Sequence, residues 1–147
     1  MSIESEAEVD RLLAPGIDAL VVDDHEHNRS LLGALLSQLG CSVSLAASGS
    51  EAVRLACRKP YHLIIMDWRM PGLNGDETVW RIRRAGPCRH TFIARWSTDP
   101  PLGDHVGLYD AELPKPVTCA ALARLVASAK RRSSRRRKLS RPAPAAD

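Results

Sequence analysis

The sequence predicts an α/β fold, a doubly wound five-stranded parallel sheet in a three-layer sandwich. Three observations carry this expectation. Short apolar runs of strand length, such as "ALVV" at 19–22 and "LIIM" at 63–66, recur along the chain. Segments with apolar residues at helical spacing lie between them, and Gly and Pro mark the joints. Strands that alternate with helices imply a parallel sheet covered on both faces, with functional residues at the carboxyl ends of the strands.

Residues 1–16 form a polar extension that allows a short helix from Glu4 to Leu13, stopped by Pro15-Gly16. "ALVVDD" (19–24) is a first strand that ends on two carboxylates. In "HNRSLLGALLSQLG", Leu31, Leu32, Leu35, Leu36 and Leu39 recur at helical spacing and Gly40 is the stop signal. "CSVSLA" alternates as a strand, and Ser48 with Glu51 forms a capping box for a helix that carries Ala52, Val53, Leu55 and Ala56. "LIIMD" follows as a strand buried on both faces, then a Pro-Gly loop. The next helix starts near Gly75-Asp76 and runs through Val79, Trp80 and Ile82 to Arg84, before the Gly86-Pro87 break. "HTFIARW" (90–96) reads as the fourth strand and "LYDAEL" (108–113) as the fifth. The turn formers of "STDPPLGDHVG" leave room only for a short helix between them, and a last helix runs from Val117 to about Lys130.

A chain of 147 residues supports one domain with a real core. Cys41, Cys57, Cys88 and Cys119 show no C-x-x-C spacing, so they read as small buried hydrophobes in a reducing cytosol. No apolar run approaches the ~18 residues of a membrane span, and the acidic start "MSIESEAEVD" does not read as a signal peptide. The net charge of +4 is unevenly placed: eight basic residues and no acid lie between Lys130 and Arg141, leaving 13 basic against 17 acidic residues elsewhere. The body is mildly acidic. Residues 131–147 are expected to form a disordered basic tail, able to make weak, salt-sensitive contact with nucleic acid, an acidic partner or an anionic membrane surface. With no recognition helix behind the domain, sequence-specific DNA binding is not expected.

Why does the chain place Asp67 directly after four apolar residues? The carboxylate could cap a helix, pair in the core, or serve as a reactive group at a sheet edge. The switch point of such a sheet can gather the ends of the first, third and fifth strands, which carry Asp23, Asp24, Asp67 and Lys115. Clustered carboxylates repel each other unless protons or a divalent cation neutralise them, and all-oxygen donors suit Mg²⁺ or Mn²⁺. A metal and a lysine beside a carboxylate nucleophile imply phosphoryl transfer onto Asp67. Helix capping alone does not explain the four charges together. His25, His27 and His62 flank the expected site but do not make a transition-metal set.

"VVDDHEHNR", "LIIMDWRMPGLNG" and "LPKPV", in this order, resemble the receiver domain of response regulators in bacterial two-component signalling. The match covers residues 17–130, and the first motif is most similar to receivers associated with hybrid histidine kinases. The resemblance implies a flavodoxin-like receiver sandwich with a shortened fourth helix. It makes Asp67 the phosphoacceptor, Asp24 a direct metal ligand and Asp23 a water-mediated one. The backbone carbonyl of Arg69 would be a further ligand, and Lys115 would bind the phosphoryl group. The implied partners are a histidine kinase or histidine phosphotransfer protein and an unknown output protein. The protein is not an enzyme in this reading. It is a cytoplasmic, single-domain phosphoacceptor that assists its own phosphorylation and dephosphorylation.

Two positions depart from the family pattern. Trp96 falls where a switch hydroxyl is expected, with Ser97 one place later, and a strand bulge would be needed for Ser97 or Thr98 to replace it. Glu112 stands three residues before Lys115, where an aromatic is usual. The switch therefore reads as atypical. The competing readings are a phosphorylation-independent pseudo-receiver scaffold and an adaptor that binds nucleic acid through its basic tail.

Overall fold

The computed structural model describes residues 13–84, 86–98 and 107–140. Five strands make one parallel sheet: β1 (Asp18–Val22), β2 (Ser42–Ala46), β3 (Leu63–Asp67), β4 (Phe92–Ser97) and β5 (Ala111–Pro114). Four helices join and follow them: α1 (Glu26–Gln38), α2 (Gly49–Arg58), α3 (Gly75–Arg84) and α4 (Cys119–Ser140). The strand order β2-β1-β3-β4-β5 reverses direction between β1 and β3, which opens the switch point above their carboxyl ends. The expected helix over 4–13 and the shortened fourth helix between β4 and β5 lie, wholly or largely, outside the described residues.

Alternation along each central strand builds two cores. Ala19, Val21, Leu63, Ile65, Ala94 and Trp96 pack toward α1 and α4, against Leu32, Leu36, Leu122, Leu125 and Val126. Leu20, Val22, Ile64, Met66 and Ile93 pack toward α2 and α3, against Ala52, Ala56, Val79 and Ile82. This is why the runs in β1 and β3 are apolar without interruption.

Local signals set the joints. Ser48 Oγ accepts from the Glu51 amide at 3.1 Å, and Glu51 accepts in return from the Ala47 amide at 3.0 Å. Asn74 Oδ1 accepts from the Glu77 amide and Thr118 Oγ1 from the Ala121 amide, capping α3 and α4. Gly40, at φ +91°, ends α1 in a conformation that a side chain would strain.

Several expectations are corrected. Helix α4 does not stop near Lys130 but continues through the basic run to Ser140, so the division expected at 130/131 falls inside one helix. Arg132 explains the continuation, because it bonds Asp110 Oδ1 at 2.7 Å and lies 5.0 Å over the Phe92 ring. Arg and Lys are also good helix formers, favoured near a helix carboxyl terminus. Strand β5 starts at Ala111 rather than Leu108, because the Asp110 carboxylate accepts from the Ile93 amide at 2.9 Å and Leu108 and Tyr109 turn into the α2/α3 core. Cys41 and Cys88 are buried, but Cys57 on α2 and Cys119 at the start of α4 are exposed, and all four thiols are free. Leu31, expected on the apolar face of α1, is exposed.

Among the described residues, no helix is long and apolar enough to cross a membrane.

Candidate functional site

Asp23 and Asp24 follow β1 directly and Asp67 is the last residue of β3, so adjacent parallel strands deliver all three to the switch point. Asp23 is fully buried, Asp67 nearly so, and Asp24 is partly exposed. Lys115 follows β5 and crosses to them: its Nζ stands 3.1 Å from Asp67 Oδ1 and 3.4 Å from Asp23 Oδ2. The same ammonium lies 4.5 Å from the centre of the Trp96 ring, which gives it an apolar and π-rich seat.

Asp23 is oriented from several sides. Its Oδ1 accepts from the His25 amide at 2.8 Å, and its carbonyl accepts from Arg29 Nη1 at 2.9 Å. Sequence reasoning missed Arg29, whose only signal is its place one turn into the helix that follows the paired acids. His25 Nδ1 lies 3.3 Å from Asp23 and 3.2 Å from Asp24.

Gly75 closes the floor. A Cβ there would lie 2.7 Å from the Asp67 carbonyl oxygen and 2.9 Å from the Tyr109 hydroxyl, so α3 can start this close only on glycine. Tyr109 donates from its hydroxyl to Asp76 Oδ1 at 2.8 Å, which ties the start of α3 to the approach to β5. Burial, and then that bond, push the Tyr109 phenol well above its ordinary range, so it remains a donor.

The electrostatics are those of a crowded acid site. Burial first, and the Asp23 charge second, push the Asp67 carboxyl up to about 6, against the pull of Lys115. Asp23, Asp24, His25 and Asp67 each offer one ligand atom, all within 4.8 Å of one another. Asp24 Oδ1 is buried and, among the described residues, makes no hydrogen bond, with the His25 ring nitrogen its ion-pair neighbour at 3.2 Å. A buried carboxylate oxygen without a donor is costly, and a small hard cation would satisfy it. The residues present therefore fit a divalent metal.

The comparisons with known proteins agree with this geometry. The model of the response regulator receiver domain matches residues 19–124. The chain belongs to that family. The sensor histidine kinase AtsR of Burkholderia thailandensis is 33% identical over 107 residues, covering 69% of this chain and 18% of that protein. The virulence sensor protein BvgS of Bordetella bronchiseptica is 46% identical over 66 residues, 45% of this chain and 5% of its own length. The chain thus spans about a fifth or less of these curated relatives. Among solved structures, the chemotaxis protein CheY4 of Vibrio cholerae superposes with a TM-score of 0.72 at 28% identity, over 79% of this chain and 99% of that one. The receiver domain of the sensor histidine kinase PA1611 from Pseudomonas aeruginosa gives 0.71 at 32% identity, over 78% and 98%, and holds a magnesium ion in its active-site cleft.

Against that receiver frame the remaining expectations separate. Asp23, Asp24, Asp67 and Lys115 do converge. Arg69 is exposed next to Trp68, its guanidinium 5.3 Å from that ring. His62 does not flank the site: it accepts from the Asp18 amide at 2.9 Å, at the amino end of the sheet. The bulge that Ser97 or Thr98 would need to replace the hydroxyl is absent from β4. Strand β4 keeps its parallel register with β5 through Ser97, which is buried and whose carbonyl accepts from the Lys115 amide at 3.1 Å. Trp96, in register with Asp67, belongs to the apolar core with Leu113 and Leu122 and so stands where the hydroxyl is usual, with Ser97 after it as the last residue of β4. Glu112 is taken up by Arg95 across the β4–β5 pair.

Proposed function

We propose that this receiver accepts a phosphoryl group on Asp67 from the phosphohistidine of a histidine kinase or histidine phosphotransfer protein, and signals through protein contacts. The observation that carries the reading is the Lys115 ammonium lying on Asp67 and Asp23 together, beside a buried Asp24 oxygen that no described residue hydrogen-bonds. A bare scaffold has no physical need for three carboxylates and a lysine at one strand edge.

In the step itself, an Asp67 oxygen bonds to phosphorus as the N–P bond of the phosphohistidine breaks, and the released imidazole takes up a proton. Lys115, already 3.1 Å from Asp67, moves its contact to a phosphoryl oxygen and keeps Asp23 as counter-charge. Asp24 and Asp67 would hold Mg²⁺ or Mn²⁺ directly, Asp23 through water, and the Arg69 carbonyl would complete the protein ligands. When bound, the ion neutralises charge shared between the acceptor carboxylate and the incoming group. Hydrolysis later returns Asp67 to its free state, so the protein assists its own modification rather than turning over a separate substrate.

The output is atypical in this reading. Trp96 stands beside Asp67 where a hydroxyl is usual, and the site of the usual mobile aromatic holds Glu112, fixed by the buried Arg95. Incubation with Mg²⁺ and beryllium fluoride, followed by NMR shift mapping, tests the whole proposal. Saturable shifts at Asp67, Ser97 and Lys115 are expected, and none in Asp67→Asn. A silent spectrum at millimolar Mg²⁺ and fluoride would leave the scaffold reading in its place.

A further inference from the structure

The end of α4 gathers positive charge that phosphoryl transfer does not use. Lys130, Arg131, Arg132, Arg135, Arg136, Arg137 and Lys138 lie on one continuous helix, within roughly 12 Å of axial rise. The loop between α3 and β4 adds Arg89 and His90, both exposed. Arg83, Arg89, His90, Arg132, Arg135 and Arg136 line a cleft of about 410 Å³ there. The carboxylate of Asp110 also lines it, but that charge is already shared by Arg83 at 2.9 Å and Arg132 at 2.7 Å. The field is strong enough to lower the proton affinity of exposed His90, with Arg136 the largest cause.

Like charges three and four residues apart destabilise a helix, and this one carries them at 131/135 and 132/135/136. A polyanion would relieve that repulsion. Arginine outnumbers lysine five to two in this run, and the guanidinium fork suits phosphate oxygens. The segment 130–140 contains one apolar residue, Leu139, so it has no apolar face to enter a bilayer.

We propose that this basic end of α4, together with Arg89 and His90, binds the phosphodiester backbone of a nucleic-acid duplex without reading its sequence. The site lies at the amino ends of the strands, where Arg132 covers Phe92 of β4, whereas Asp67 and Lys115 lie at the carboxyl ends. A bound duplex therefore leaves the phosphoacceptor open.

The test is fluorescence anisotropy of a labelled 20-base-pair DNA duplex titrated with the full chain at 50–200 mM NaCl. With about four phosphates engaged, log K should fall against log salt with a slope near −4, a loss of roughly 200-fold across that range. Arg135→Glu combined with Arg136→Glu should weaken binding at least ~10-fold and flatten the slope by about two. Arg89→Glu, on a different element, should weaken it too even if the first variant frays the helix. Affinity unchanged in both variants would overturn the proposal. So would phosphatidylserine vesicles or polyglutamate binding as tightly as the duplex at equal charge.

Discussion

Arg95, wholly buried in β4, directs its Nε at both carboxylate oxygens of Glu112 on β5, at 3.0 and 2.9 Å. The guanidinium also lies 4.8 Å from the centre of the Trp68 ring, next to Asp67. A charge inside a strand is tolerable only when paired, so each of these two residues explains the other.

Removing Glu112 should therefore cost more than removing an ordinary half-exposed acid. Glu112→Ala is expected to destabilise the fold by about 2 kcal/mol, discounted from the buried-pair range because Glu112 remains partly solvated. Replacing both partners, as in Arg95→Leu with Glu112→Val, should recover most of that loss. Urea denaturation of the two singles and the double provides the cycle, and additive losses would argue against the pairing.

Asp67→Asn should abolish acid-labile phosphorylation and leave the fold intact. Without metal its stability should rise, by on the order of 1 kcal/mol, because one of three crowded acids becomes neutral. Mass spectrometry after treatment with a small phosphodonor, and a thermal scan in chelator, read the two effects. Label persisting in the variant, on no other aspartate, would remove Asp67 from its role.

Magnesium should raise the melting temperature by mass action, with about 1.4 kcal/mol gained at ten times the dissociation constant. Asp24→Ala is expected to reduce this gain more than Asp23→Ala does, since Asp24 carries the buried oxygen that no described residue hydrogen-bonds. Equal responses in the two variants would mean that the direct and water-mediated roles are misassigned.

On activation, changes should concentrate at Asp67, Arg69, Ser97 and Lys115, with little movement of β5, which the Arg95–Glu112 pair pins. Trp96, under the Lys115 ammonium that shifts in this reading, and the partly exposed Trp68 should both report the change. Single tryptophan replacements separate the signals. Large shifts across 107–113 would show that the pair yields and the usual coupling operates.

Thiol chemistry gives an independent check of the fold. Cys57 and Cys119 should alkylate quickly, while Cys41 and Cys88 should resist until the chain unfolds. Burial pushes the Cys41 thiol up to about 11, so little thiolate forms there at neutral pH.

The acids and lysine of the site were legible because each closes or follows an apolar run whose length and composition fix a strand. Asp67 after "LIIM" is the clearest case. What escaped was decided by tertiary partners. The charge run after Lys130 reads as disordered in isolation, since nothing local announces that Asp110 and Phe92 will hold Arg132. The fourth strand, read as 90–96, runs from Phe92 to Ser97, and its end is missed because a serine before "TDPP" resembles a turn more than a buried strand end. Glu112 reads as an oddity in the sequence, and only the β4–β5 register sets it beside Arg95.

Asp110 accepts from the Ile93 amide and also holds Arg83 of α3 and Arg132 of α4, so one carboxylate fastens three elements. Anyone shortening this protein for crystallisation or labelling would naturally cut after Lys130, where the family match has already ended. That cut keeps every residue of the proposed phosphotransfer site yet strips the third strap from Asp110 and uncovers Phe92. The minimal independently stable unit therefore extends past the minimal chemical one, and a safe trimming point lies beyond Arg132.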